Sequence, residues 1–151
     1  MTTLDEILAT ATGRSRIVLE YSRITERLVE AAKNPDFTSA DWAPLAELID
    51  VDNFVRVGPF KEVMDWTSYV EFLTNWAKSS EWNCTFQRLT ETPDVVFLEL
   101  EERSHMGDFS SVVNSVSVYE FNPDNKVRRI AVYLQMALPA TGSVPTFDGA
   151  G

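Results

Sequence analysis

The hydrophobic period changes once along this chain, from between three and four residues to two, and that change near residue 80 limits the folds open to it. Before it, Ile17, Tyr21, Ile24, Leu28 and Ala31 share one face while Glu20, Arg23, Glu26, Arg27 and Glu30 fill the other, which predicts an amphipathic helix starting near Arg14. Thr3 with Glu6 predicts one or two loose helical turns ahead of it. The run from Asn34 to Asp36 ends the long helix, and "TSADWAPLAELI" predicts a shorter one with Ser39 or Asp41 as its cap and Pro44 in its first turn. "NFVRV" reads as a short strand closed by Gly58 and Pro59, and "DWTSYVEFLTNWAKSS" as a third helix.

After the switch, Trp82, Cys84 and Phe86 alternate with Asn83, Thr85 and Gln87. Turn signals at "ETPD", at Gly107 with Asp108 and at "NPDN" divide the remainder into four long strands of an antiparallel meander. The expected architecture is α+β, three N-terminal helices packed on a curved antiparallel sheet. At 151 residues and 44% hydrophobic content the chain suits one domain, 1–151, with a core over about 14–136. The tail 139–151, rich in Gly, Pro, Ser and Thr, is expected to be mobile or, through Phe147, to lie over a groove.

Charge narrows the partners. Thirteen Lys and Arg against 23 Asp and Glu give a net charge of −10, which repels phosphate backbones and anionic lipid, so neither nucleic acid nor a membrane is expected as a partner. Cys84 is the single cysteine, which excludes an intramolecular disulfide and a thiolate metal cluster within one chain. Asp5 and Glu6 stand where a secretory signal needs basic residues, and no apolar run reaches the length of a membrane span, so a cytoplasmic location is expected. No phosphate-binding glycine loop and no spaced set of metal ligands is present, and no cofactor or metal is expected.

The order of elements, the stretch "VRVGPFKEVMDWTSYVEFL" and the closing "VYEFNPDNKVRRIAVYL" resemble the nuclear transport factor 2-like superfamily, in particular its SnoaL-like branch of polyketide cyclases, isomerases, dehydratases and epoxide hydrolases. The resemblance implies a cone-like fold with a cavity between helices and sheet, and pairing of two chains through the outer sheet face. It does not carry over a complete set of catalytic residues. The arginine of limonene-epoxide hydrolase-like members falls near Leu100, and their carboxylates near Glu102 and Val132. The last-strand acid of the polyketide cyclases meets Ile130, Val132, Leu134 and Met136. The general base of ketosteroid isomerases falls near Val57, and their tyrosine nearer Leu28 than Tyr21, while the two histidines of scytalone dehydratase face a chain whose single histidine is His105.

The residues themselves single out Glu102, the charged member of the row Val96, Leu98, Leu100, Glu102, Ser104 in "VVFLELEERSHM". In a wall made of Val55, Val57, Leu98, Leu100, Val132 and Leu134, a carboxyl is placed to act as a general acid or base, because apolar surroundings disfavour its charged form. Ketosteroid isomerase, a relative in fold, holds a carboxylic acid neutral in this way. The alternative is a glutamate at a solvated rim or paired with an arginine. Tyr21 and Ser115 or Ser117 are the hydroxyls expected to hold a ligand oxygen, and Trp76 is a candidate ligand-lining member of the stripe Trp66, Tyr69, Phe72, Trp76. The strand from Ser110 to Phe121 leaves its parity open: either Val113, Ser115, Ser117, Tyr119 and Phe121 face inward, or Val112, Asn114, Val116, Val118 and Glu120 do. His105, Glu99, Glu101 and Arg103 are expected on the outer face, with Arg129 pairing the two glutamates and Phe97, Ala131 and Tyr133 suited to a homodimer contact. The expected function is acid–base chemistry without a cofactor, of isomerase or lyase type, on a small hydrophobic oxygenated molecule such as a steroid, terpenoid or polyketide fragment. The alternatives are a noncatalytic binding or dimerisation module of the same fold, or a chain whose cavity is filled by its own side chains.

Overall fold

The structure, a computed structural model, describes residues 3–137. Along the chain come α1 (Leu4–Leu8), α2 (Gly13–Ala31), a 3-10 turn (Ser39–Trp42) leading into α3 (Ala43–Ala46), β1 (Val55–Val57), β2 (Val63–Met64) and α4 (Trp66–Ser79). The four strands β3 (Glu81–Glu91), β4 (Val95–Met106), β5 (Phe109–Phe121) and β6 (Val127–Met136) follow as antiparallel neighbours. The sheet order is β2-β1-β6-β5-β4-β3. The long strands alternate their side chains, so one apolar face turns toward the helices, and a bulge between Phe86 and Arg88 adds to the bend. The tail 139–151 lies outside the described residues. Among the described residues no helix is long and apolar enough to cross a membrane.

Two features of the sheet differ from the meander read in the sequence. β1 joins the far side of β6 in parallel, pairing Val55 with Arg129, Arg56 with Ile130 and Val57 with Ala131. β2, two residues long, pairs antiparallel with β1 and is too short to leave a periodic signal.

The helices are pinned where they meet the sheet. Thr12 makes no side-chain cap on α2; the Glu91 carboxylate at the end of β3 accepts from the Ser15 N–H at 3.0 Å and the Ser15 hydroxyl at 2.6 Å instead. Gly13 turns into α2 at φ +61°, a conformation strained for any side chain. The buried stripe of α2 is Val18, Leu19, Tyr21, Ser22, Thr25 and Val29, rotated from the expected one; Ile17, Ile24 and Leu28 are partly buried and Ala31 is exposed. The rotation follows from packing, since α2 meets β3 and β4 on one flank and α1, α3 and α4 elsewhere. Thr25 tolerates burial because its hydroxyl donates to the Tyr21 carbonyl at 2.8 Å. The 3-10 turn that leads into α3 is preceded by Thr38, whose N–H donates to Asp41 at 2.8 Å, so the cap lies at Thr38 rather than at Ser39 or Asp41. Asp65 caps α4 by accepting from the Ser68 N–H at 2.8 Å.

Lys33, just past α2, ties the ends of the two long helices together. Its ammonium donates to the carbonyls of Val29 at 2.8 Å, of Ala77 at 2.7 Å and of Ser80. Those carbonyls sit at the C-terminal ends of α2 and α4, where helices leave acceptors unpaired and concentrate negative dipole charge.

Candidate functional site

α2 and α4 do not fill the concave face of the sheet, and the space between them is a cavity of about 380 Å³. Alternation puts Leu100, Glu102 and Ser104 of β4 on its wall, with Ser111, Val113, Ser117 and Tyr119 of β5 beside them and Ile130, Val132, Leu134 and Met136 of β6 beyond. Tyr21, Ser22 and Thr25 of α2 and Tyr69, Phe72, Leu73 and Trp76 of α4 close the other side. A second cleft of about 510 Å³, between the 3-10 turn, α3 and α4, holds Glu71 as its one titratable lining residue among those described. The first is the better site because it combines both signs of charge with hydroxyls on largely apolar walls.

Glu102 is the one carboxylate among the described lining residues. Its Oε1 accepts from the Trp82 indole Nε1 at 2.8 Å, and Trp82 is held edge-on against Trp76 with ring centroids 6.2 Å apart. No hydrogen bond occupies its other oxygen among the described residues. Across the ladder it faces Cys84 on β3 and Val113 on β5. Burial, with the negative charges of Glu26 and Glu102 nearby, pushes the Cys84 thiol up to about 12, so it stays protonated at neutral pH and is no nucleophile.

Three tyrosines meet further along. The Tyr21 and Tyr69 hydroxyls lie 3.1 Å apart, and the Tyr119 ring stands edge-on to Tyr21 at 5.6 Å. Burial first, then neighbouring Tyr69, raises the Tyr21 hydroxyl well above the ordinary tyrosine range; Tyr119 is raised by burial, by Tyr69 and by the charge of Glu102. These hydroxyls therefore remain protonated and able to donate. Arg56 reaches the same region from β1, its guanidinium 4.9 Å from the Tyr69 ring centroid and 5.7 Å from that of Phe72.

No family model matches the chain, and no curated protein sequence does. Solved structures do. The epoxide hydrolase/cyclase-like enzyme SalBIII, described for pyran ring formation in the polyether salinomycin, is 19% identical with a TM-score of 0.62, over 82% of this chain and 91% of that one. An epoxide hydrolase of the limonene-epoxide hydrolase-like kind from Mycobacterium tuberculosis is 14% identical with a TM-score of 0.56, over 77% and 83%. A nuclear transport factor 2-like protein of unknown function from Cytophaga hutchinsonii is 14% identical with a TM-score of 0.51, over 83% and 93%. The fold is nuclear transport factor 2-like. At these identities the likeness fixes architecture, and the chemistry has to be argued from this chain's own side chains.

Within the nuclear transport factor 2-like cone, Tyr21, Trp76, Leu100, Glu102, Ser117, Val132 and Leu134 line the cavity. Val55 and Val57 do not. The pairing of Arg56 with Ile130, a lining residue, sets the parity of β1, so Arg56 faces inward and both valines face outward. Leu98 is packed beneath the cavity at 1% exposure and does not line it. Ser115 shares the inward parity, paired with Leu100 and Leu134, but is buried at 2% exposure and does not line the cavity; among the described residues its hydroxyl has no hydrogen-bond partner. The open choice on β5 resolves to the serine face, and Asn114 points outward to Gln87 and Gln135.

His105 is exposed and its Nδ1 lies 2.7 Å from the Ser110 hydroxyl. On the outer face Glu99 pairs with Arg88 of β3, Glu101 with Arg103 of its own strand, and Arg129 with Glu120 of β5. Arg129 could not serve the two glutamates because β5 lies between β6 and β4. Tyr133 is exposed and Phe97 partly so, whereas Ala131 is buried and offers no contact area. Periodicity did not single out Arg56, Tyr119 or Trp82 as members of the site. For Arg56 a signal was available: in "VRV" the arginine stands alone on its face.

Proposed function

We propose that the protein is a cofactor-independent acid–base enzyme of isomerase or lyase type, with Glu102 as the proton carrier and a small, largely apolar, oxygen-bearing molecule as substrate. The observation that carries this reading is the carboxylate pinned by the Trp82 indole on an otherwise largely apolar wall, with one oxygen free of protein hydrogen bonds among the described residues. With a substrate carbonyl held by a lining hydroxyl beside Glu102, that of Ser104 or Ser111, the Glu102 carboxylate takes a proton from the carbon adjacent to the carbonyl and the negative charge moves onto the carbonyl oxygen. Return of the proton at another carbon completes an isomerisation. Alternatively, the charge returns from the carbonyl oxygen to form a carbon–carbon double bond, an oxygen leaves from the following carbon, and it departs with the proton that Glu102 returns, which completes an elimination.

The reading is tested by a melting-temperature screen of steroids, terpenoids and polyketide-like phenols, followed by turnover of each compound that stabilises the protein. Glu102→Gln should keep the stabilisation and lose about 10²-fold to 10⁴-fold in kcat, the usual contribution of a general acid or base. Unchanged kcat in that variant would refute the role. A noncatalytic binding module is the second reading, favoured by the Trp82 bond that occupies one oxygen of Glu102; it expects binding in both proteins and turnover in neither.

The assembly proposed with this reading is a homodimer through the outer sheet face. Its support is the outward-facing apolar residues Val63 and Val57, paired with each other, and Val118 and Phe97, paired with each other, which flank buried Ala131 and lie beside exposed Tyr133. Ion pairs within the chain already balance the charges around it.

A further inference from the structure

Arg56 is partnered unlike the other arginines of its burial. Arg14 donates to the Pro93 carbonyl and the Asn125 side chain, Arg23 meets Asp5, Arg103 meets Glu101 and Arg129 meets Glu120. Arg56 is partly buried like these, yet among the described residues no carboxylate lies within ion-pair distance of it and no oxygen accepts from it; it rests only on the faces of Tyr69 and Phe72. Aromatic faces orient a guanidinium and leave its edge donors unused.

The two charges of the cavity stand at opposite ends. Arg56 pairs with Ile130, which pairs with Tyr119; Glu102 pairs with Val113, which pairs with Met136. Tyr119 and Val113 are six positions apart on β5, about 20 Å along the strand before the side chains reach inward. The Tyr21 and Tyr69 hydroxyls belong to the Arg56 end, since Arg56 lies over the Tyr69 ring.

We infer that the Arg56 end of the cavity is a carboxylate subsite, in which the guanidinium takes the carboxylate of a small apolar or aromatic acid in a forked pair and a hydroxyl of the Tyr21–Tyr69 pair donates to the same group. The apolar body of the acid then lies along Leu100, Val132 and Leu134, toward Glu102. Glu102 repels the reversed orientation, so one end of the ligand is fixed by charge and the other is offered to the proton carrier. This rests on the acid–base reading of the same cavity and narrows its substrate class from oxygen-bearing apolar molecules to acids.

The test is titration calorimetry with matched probes, 4-phenylbutyrate against 4-phenylbutyramide and 2-naphthoate against 2-naphthamide, on wild type, Arg56→Met, Arg56→Lys and Glu102→Gln. Wild type should prefer each acid over its amide by about tenfold or more, the order of a charge-assisted pair. Arg56→Met should abolish the preference while binding the amides as wild type does, which also reports that the variant is folded. Arg56→Lys, a charge without the planar fork, should keep part of the preference. Glu102→Gln should retain all of it. Equal binding of acids and amides by wild type, or a preference that survives Arg56→Met, overturns the subsite and leaves the proton-carrier reading standing. A preference lost with Arg56, in a protein whose turnover ignores Glu102→Gln, supports the subsite and removes the proton carrier. Binding of neither member of either pair overturns the subsite and the ligand cavity together.

Discussion

Replacing Lys33 by Met removes the ammonium that joins α2 to α4 and keeps most of the side chain's apolar length. Three carbonyls lose a charged donor, those of Val29, Ala77 and Ser80, and Ala77 and Ser80 are both fully buried residues. A hydrogen bond to a charged group contributes roughly 1.5–3 kcal/mol to stability. Three such bonds do not sum, because the lysine stem is exposed and holding it in one conformation costs up to about 2 kcal/mol. The expected net loss is about 2 kcal/mol, which for a chain of 151 residues lowers Tm by about 4–8 °C. Scanning calorimetry of Lys33→Met reads the loss, with Lys78→Met, an exposed lysine in the last turn of α4, as the control expected to shift by less than about 2 °C. Hydrogen exchange should rise at the last turns of α2 and α4 before it rises elsewhere. A Lys33→Met Tm equal to that of the control would refute the idea that this ammonium ties the helices together, and so would exchange that rises evenly along the chain.

The Asp65 carboxyl lies below the ordinary aspartate range because it accepts from the Ser68 N–H and then the Ser68 side chain. A depressed folded value stabilises the protein above the unfolded value of about 3.9, and the contribution is lost as pH falls through the folded value. Asp65→Asn keeps a capping oxygen that does not titrate, so its stability below about pH 4 should fall less steeply than that of wild type in acid unfolding followed by circular dichroism; parallel curves would refute the assignment. For the dimer, sedimentation velocity of Phe97→Glu should show the monomer at concentrations where wild type is a dimer, since the outer apolar face of Val63, Val57, Val118 and Phe97 would then carry a charge at its β4 end. A wild-type monomer, or a dimer unaffected by Phe97→Glu, would remove that face as the interface.

The switch of hydrophobic period and the turn residues at Gly107 and in "NPDN" determine the four long strands and their order without any structure, because each strand is long enough for its alternation to be read and each turn short enough to force antiparallel neighbours. The same periodicity determines that Leu98, Leu100 and Glu102 share a face, and three apolar neighbours mark that face as the inner one. On β5 both faces carry valines and small polar residues, so parity alone could not choose; the packing of Tyr119 and Phe121 into the core chose. β1 is three residues long, and its facing was decided by a partner more than 70 residues away, through the register of Arg56 on Ile130. Hence Val55 and Val57 left the wall and Arg56 entered it. The 3.1 Å approach of Tyr21 to Tyr69, the bond from Trp82 to Glu102 and the ammonium of Lys33 on α4 are likewise products of tertiary packing. Periodicity reports which residues point the same way along one element. Which elements meet, and so which charges and hydroxyls share a cavity, is set by strand register and helix packing between residues far apart in the chain.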